Sequence, residues 1–225
     1  IGNKVAMVNV ADAFGIELAK SARPIFKKAG LDIVYDKSYP LGTQDLSPIV
    51  KGAKASGPDA FVAWSYPPDT FGLTQQAKIQ NLGVKAFYTA VATAFPAYGG
   101  KFGMAANGNL GAGGINPDTP EMMAYAKAHK EITGKAPDGW ASATMYASLQ
   151  ILEQAIEGVG APDRAAVIDY IKKNTFKTVM GDIKFNNQNN DVFWTVGQWQ
   201  NGKYYGVAST GRPGEKAVQL KSGWK

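Results

Sequence analysis

One histidine, no cysteine and three arginines leave this chain of 225 residues little with which to do covalent chemistry. The missing cysteines remove thiolate nucleophiles, disulfides and thiolate metal sites together. His129 sits beside Lys130 and Glu131 and reads as a surface residue. A serine hydrolase would need it as its base, yet no G-x-S-x-G elbow accompanies it. Glu153 and Glu157 stand four apart on one helix face, the spacing of a mildly repelling, solvated pair. The glycines Gly108, Gly111, Gly113 and Gly114 of "GNLGAGGIN" do not spell a dinucleotide loop, and no G-x-x-x-x-G-K-[ST] occurs. "FNNQNND" lacks the central glycine and final glutamate of a calcium loop and reads as a hairpin turn. Neither a metal nor a cofactor is called for.

Aromatic residues remain. Phe14, Trp64, Tyr66, Phe71, Phe87 and Tyr88 gather near the ends of apolar runs. Most of these, Trp64 and Phe87 among them, suit a core. Phe14 and Tyr66 follow their runs instead of lying within them, and spacing leaves pocket and core equally open for both. Small organic ligands are held in pockets lined by such rings and oriented by a few polar groups. Ser65, Thr89, Thr93 and the N–H groups of Ala13 to Gly15 are the polar groups at hand, and a helix N-terminus there favours an anion.

The elements that must position these residues alternate. Apolar runs at Val5–Val10, Leu31–Tyr35, Ala60–Trp64, Ala86–Ala90 and Leu110–Ile115 read as strands. Helical segments near 16–29, 45–55 and 68–81 separate the first four. Thr43 or Asp45 is expected to cap the second, with Pro48 in its first turn, and Asp69 the third. Gly30, Gly57 and Gly83 should close the three, while Pro24 should kink or split the first. Strand and helix at this spacing argue an α/β fold with a parallel sheet. Ligands in such sheets sit beyond the carboxyl ends of the strands, which puts Asp12 to Phe14, Ser65 to Pro67 and Thr89 to Ala92 along one rim. Residues 119–133, 139–158 and 163–174 then read as helices, the last capped by Asp163. A period-two stretch from Asp182 to Ser209 follows, with turns at Asn186–Asp191 and Asn201-Gly202. Helices and a meander without a sheet of their own bury themselves poorly.

The charge balance is +6, but the lysines are scattered and the densest pairs are Lys27-Lys28 and Lys172-Lys173. Nucleic acid is not expected as a partner. No run reaches the roughly 18 apolar residues of a membrane helix. No basic-then-apolar leader precedes Ile1, so any secretory signal is read as already removed.

The order "VAMVNVADAFG", "AGLDIVYDKSYPLGTQDLSPIVKGAKASGPDAFVAW", "LGVKAFYTA" and the closing "VMGDIKFNNQNNDVFWTVGQWQNGKY" resembles the type I periplasmic solute-binding proteins of ABC importers. More narrowly, it is similar to their branched-chain amino acid group. The resemblance implies two Rossmann-like α/β lobes closing on a ligand. It implies that residues 1–115 form the second lobe, that 116–191 are helices and a hairpin of an incomplete first lobe, and that 192–225 return to the second and end in a tail. The chain is thus expected to be a piece of a longer protein. An extracytoplasmic, monomeric binding component working with a membrane permease is implied, with no catalysis. A ligand-sensing receptor of the same fold is the alternative, and a small-molecule hydrolase a remote one.

By that resemblance the ligand-binding residues are Phe14, where the family commonly has tyrosine, then Ser65, Tyr66 and Pro67, and Ala90 and Val91. The family's acid for a ligand ammonium falls near Val91, and "TAVATAF" holds none. A buried ammonium without a counter-charge is costly. A neutral or anionic solute, an aromatic or aliphatic acid, is therefore expected ahead of an α-amino acid.

Overall fold

A computed structural model describes residues 1–190, 195–208 and 214–224. The chain divides into two compact units: Ile1–Ala112 with Gln198–Lys203 and Val218–Lys225, and Gly113–Gly197 with Tyr204–Ala217.

In the first unit, strands and helices alternate. Strand β1 (Lys4–Val10) leads to helix α1 (Ala13–Lys28), β2 (Asp32–Tyr39) to α2 (Ser47–Ala55), and β3 (Ala60–Trp64) to α3 (Pro67–Ile79). Strand β4 (Ala86–Thr89) leads to a short α4 (Pro96–Phe102) and a 3-10 turn (Gly103–Ala106) before β5 (Asn109–Ala112). These strands pair in parallel in the order β2-β1-β3-β4-β5. Strand β1 shows why helices cover both faces. Its Ala6, Val8 and Val10 pack with Val50 and Ala53 of α2 and Leu73 and Ala77 of α3, while Met7 points the other way onto Ala19 and Ala22 of α1.

Several expectations need correction. Helix α1 is not split at Pro24: it runs as one element from Ala13 to Lys28. Lys20, whose carbonyl loses its partner there, is exposed like Pro24 itself, so water can serve it. Neither Thr43 nor Asp45 is the N-cap of α2. Thr43 bonds back to the Pro40 carbonyl, and Asp45 takes the Ser47 N–H while Leu46 occupies the cap position. Asp69 is the third residue of α3, and its carboxylate accepts the N–H of Tyr66, the true cap position, at 3.3 Å. Gly30 and Gly57 do turn left-handed after their helices, but after α3 that conformation falls to Asn81, not Gly83. Strand β2 extends to Tyr39 because it pairs with β1 as far as Val10, and as an edge strand it accommodates exposed Lys37 and Ser38. Strand β5 stops at Ala112, since Gly113 and Gly114 follow with φ of 98° and 112°.

Strands β8 (Val196–Gln200) and β9 (Lys203–Ala208) continue the sheet order beyond β5. The expected Asn201-Gly202 turn joins them, both residues with positive φ as a tight hairpin requires. The tail returns to the first unit. Trp224 donates its ring N–H to the Leu82 carbonyl at 2.8 Å and sets its ring edge-on to Phe87.

The second unit contains α5 (Pro120–Thr133), α6 (Ala141–Val159), α7 (Arg164–Lys173) and an antiparallel pair, β6 (Thr175–Thr178) and β7 (Gly181–Lys184). Asp163 caps α7 as expected, accepting the Ala166 N–H at 2.8 Å. Its core gathers Ile115, Met122, Val167, Phe176, Met180 and Ile183 around Ala143, Ala147, Ile151 and Ala155 of α6. The polar strand "TFKT" of β6 was not anticipated. The turn at Asn186 closes on Asn189. The rest of that expected turn and meander at 191–194, and its end at Ser209, lie outside the described residues.

Candidate ligand-binding site

Strands β1, β3 and β4 are neighbours in the sheet, with Asn9 opposite Trp64 and Ala63 opposite Thr89. Their carboxyl ends therefore deliver three loops to one rim. The first carries Asp12 and Phe14. Asp12 caps α1, its Oδ1 accepting the Gly15 N–H at 2.9 Å. Gly15 is glycine because α1 starts hard against its strand: a methyl there would collide with the Val10 carbonyl oxygen. Packing against the strand thus accounts for the glycine of the "DAFG" turn.

Phe14 and Tyr66 are brought together. Their rings stack with centroids 4.8 Å apart and planes 23° from parallel, half-buried against the core beneath. The Tyr66 hydroxyl donates to Asp12 Oδ2 at 2.8 Å, and this acceptor raises its pKa above the ordinary tyrosine value. Asp69, buried under the same loop, has its carboxyl pushed upward by burial. Pro67 is the first residue of α3, where its missing N–H costs nothing.

Ser65 is brought to Val91 through the backbone, the Val91 N–H donating to the Ser65 carbonyl at 3.2 Å. The Ser65 hydroxyl turns inward to Thr70, whose own hydroxyl reaches the Val91 carbonyl. Ala90 is buried and continues the pairing to the Ala63 carbonyl. Ala92 follows with a φ of 75°, a strained backbone for a residue with a Cβ, directly at the rim. Thr89 and Thr93 are fully buried and hydrogen-bonded to each other at 2.5 Å, so they do not supply the ligand-orienting hydroxyls expected of them. Asp12 was expected on this rim, but its hold on Tyr66 was missed. The signal in the sequence was an acid at a helix start two residues before a strand-end ring.

Elsewhere, His129 is partly exposed and its Nδ1 lies 2.9 Å from the Lys135 carbonyl, at the end of α5. Among the described residues, no group of three or more acids and histidines could hold a metal ion. No helix among them is long and apolar enough to cross a membrane. A groove of about 840 Å³ opens in the second unit beside Tyr125, Tyr146, Gln150 and residues 177–182, and it contains none of the six expected ligand residues.

A parallel sheet covered by helices, with the loops after β1, β3 and β4 gathered at one edge, is the architecture of the type I solute-binding proteins. The chain belongs to the periplasmic binding protein family, whose profile matches residues 2–203. It is similar to the Leu/Ile/Val-binding protein homolog 7 of Brucella abortus, 29% identical over 213 residues covering 89% of this chain and 53% of that protein. It is 27% identical to an amino acid binding protein of Pseudomonas aeruginosa, over 90% of this chain and 55% of that one. The chain thus spans about half the length of the curated relatives it matches. Among solved structures, a Brucella ovis protein binding leucine, isoleucine, valine, threonine and alanine, in its closed conformation, superposes with a TM-score of 0.76. That match is 21% identical and covers 97% of this chain and 56% of that one. An R. palustris solute-binding protein solved with benzoate gives 0.77 at 15% identity, covering 96% and 61%. At these identities the structural matches speak for the fold.

Proposed function

We propose that this chain is part of the extracytoplasmic solute-binding component of an ABC importer, and that it binds its solute without catalysis. The observation that carries this is the rim: a stacked aromatic pair from the loops after β1 and β3, beside the uncharged loop after β4, within a family of solute-binding proteins. Of the six expected residues, Phe14, Tyr66, Pro67 and Val91 are the partly exposed ones that would meet the solute, while Ser65 and Ala90 are buried behind them and hold the loops. Residues 1–115 then act as one sheet-bearing lobe. Residues 116–191 contribute helices to the other, which accords with the apolar side chains that α6 leaves exposed.

The solute we propose is a small organic carboxylate, aromatic or aliphatic, ahead of an α-amino acid. Support comes from residues 90–95, "AVATAF", which offer an ammonium no counter-charge. The benzoate-bound relative in fold shows that such a scaffold accommodates an aromatic acid. A thermal-shift screen tests the reading with benzoate, aliphatic carboxylates, leucine and valine. A ligand at a hundredfold over its dissociation constant adds about 2.7 kcal/mol. A shift with carboxylates alone is the expected result; a shift with leucine or valine alone would overturn the choice of solute and leave the binding role standing.

A further inference from the structure

Asp12 does two things at once, and only one of them is needed to start a helix. Its Oδ1 caps α1 through the Gly15 N–H, a task serine or asparagine performs equally well. Its Oδ2 reaches 54 residues along the chain to the Tyr66 hydroxyl. We propose that Asp12 is a positioning residue for solute recognition: it pins Tyr66 flat against Phe14 and so makes one rigid aromatic platform from two separate loops. This rests on the reading of those loops as ligand-facing.

Three observations converge on it. Tyr66 is held at both ends, its backbone N–H by Asp69 and its hydroxyl by Asp12, so the ring has little freedom left. The stack is close and nearly parallel, 4.8 Å and 23°, which presents a flat face. A hydrogen bond to an ionised acceptor is also among the stronger ones available at a half-exposed edge. A ring ordered before the solute arrives does not have to be ordered by it, so the fixed platform lowers the cost of binding. The carboxylate has a second consequence. It places a negative charge at one edge of the platform and occupies the Gly15 N–H, a donor that could otherwise have anchored a ligand anion. The planar or apolar part of the solute lies on the rings, and its own carboxylate points away from Asp12.

The test uses D12S, which keeps a capping hydroxyl but cannot reach Tyr66, and Y66F, which keeps the ring and loses the hydroxyl. Tyrosine absorbance is titrated in the wild-type protein and both variants, with Y66F isolating the Tyr66 signal. Tyr66 is expected to ionise above the ordinary tyrosine range in the wild-type protein and to fall back toward it in D12S. Benzoate and leucine serve as calorimetric probes. Each single substitution should weaken whichever probe binds by about tenfold, the scale of one charged hydrogen bond, and the double variant should be no worse than either. An unchanged Tyr66 titration in D12S overturns the lock. A loss in D12S with none in Y66F overturns positioning, since Asp12 would then act by charge alone. Failure of both probes on the wild-type protein counts against the site itself and removes the positioning role, even where the titration shows the lock intact.

Discussion

The two units cover their apolar faces to different extents. In the first, helices sit on both sides of the β1–β5 sheet, and Trp224 closes the cluster around Phe61 and Phe87. In the second, α6 buries a narrow stripe of Ala143, Ala147, Ile151 and Ala155. Beside that stripe, Met145, Tyr146, Leu149 and Leu152 stand 66, 45, 58 and 44% exposed. Three alanines and one isoleucine bury little area, so the second unit leans on what α6 meets at its edges. Gln150 and Gln154 supply part of this, bonding the backbone of the β6–β7 hairpin at Lys177 and Val179. Cohesion in the first unit comes from a sheet covered on both faces; in the second it comes from one apolar cluster around the α6 stripe, reinforced by the two amides.

The largest effect is expected at the tail. Trp224→Ala removes a buried ring and its bond to Leu82, and should lower the first unit's stability by about 3–5 kcal/mol. Ile151→Ala in the second unit should cost about 2 kcal/mol, the low end for such changes, because the α6 stripe is narrow. Urea midpoints of the two variants make the comparison, and equal losses would break it. A paired substitution sharpens it further. Gly15→Ala drives a methyl into the Val10 carbonyl, which cannot yield, for about 1–3 kcal/mol. Gly158→Ala in α6 meets only the ring of Tyr170, which can swing away, while gaining about 1 kcal/mol of helix propensity. The first should lower the melting temperature and the second leave it nearly unchanged.

The tail also carries a titratable group. Lys221 is buried, its ammonium donating to the Ala105 and Asn107 carbonyls and lying 3.9 Å from the centre of the Trp224 ring. Burial lowers its pKa to about 7. In the unfolded chain it keeps the ordinary value of about 10.4, so between these limits the unfolded state binds more protons. Stability should therefore rise with pH across that window, by at most about 1.4 kcal/mol per unit, and the carbonyl and ring contacts, which favour the charged form, narrow the window from its lower end. Lys221→Met should flatten it. Urea unfolding at the two ends of the window reads the difference, and a slope surviving in the methionine variant would assign it elsewhere.

Legibility in the sequence did not follow that divide. Strands β1, β3 and β4 announced themselves because buried parallel strands are continuous apolar runs bounded by turns. Helix α4 did not: "PAYGGKF" holds a proline and two glycines, and its place depends on packing, with Tyr98 and Phe102 buried. Strand β6 reads as polar because only Phe176 and Thr178 face inward. Phe14 and Tyr66 were legible as strand-end rings. That they touch, and that Asp12 holds them, was not, since the contact depends on which strands are neighbours. The buried pairing of Thr89 with Thr93 was equally invisible, because a hydroxyl at a strand end looks the same whether it faces in or out.

The smallest effect bears most directly on the comparison. Leu149 is a large apolar residue in mid-helix, and at a buried helix position such as Leu73 of α3 the same exchange for an acid would be ruinous. Here more than half of it is already exposed, so Leu149→Glu removes little buried area and keeps good helix propensity. Its stability cost should stay within about 0.5 kcal/mol. Self-association should fall in the same variant, since a row of Met145, Leu149 and Leu152 is the kind of contiguous apolar surface that finds partners. Denaturation and sedimentation on one preparation separate the two readouts. A cost of several kcal/mol would mean that the stripe is buried after all and that the two units are covered alike. A negligible cost with reduced association would show that α6 presents a face the rest of this chain does not use.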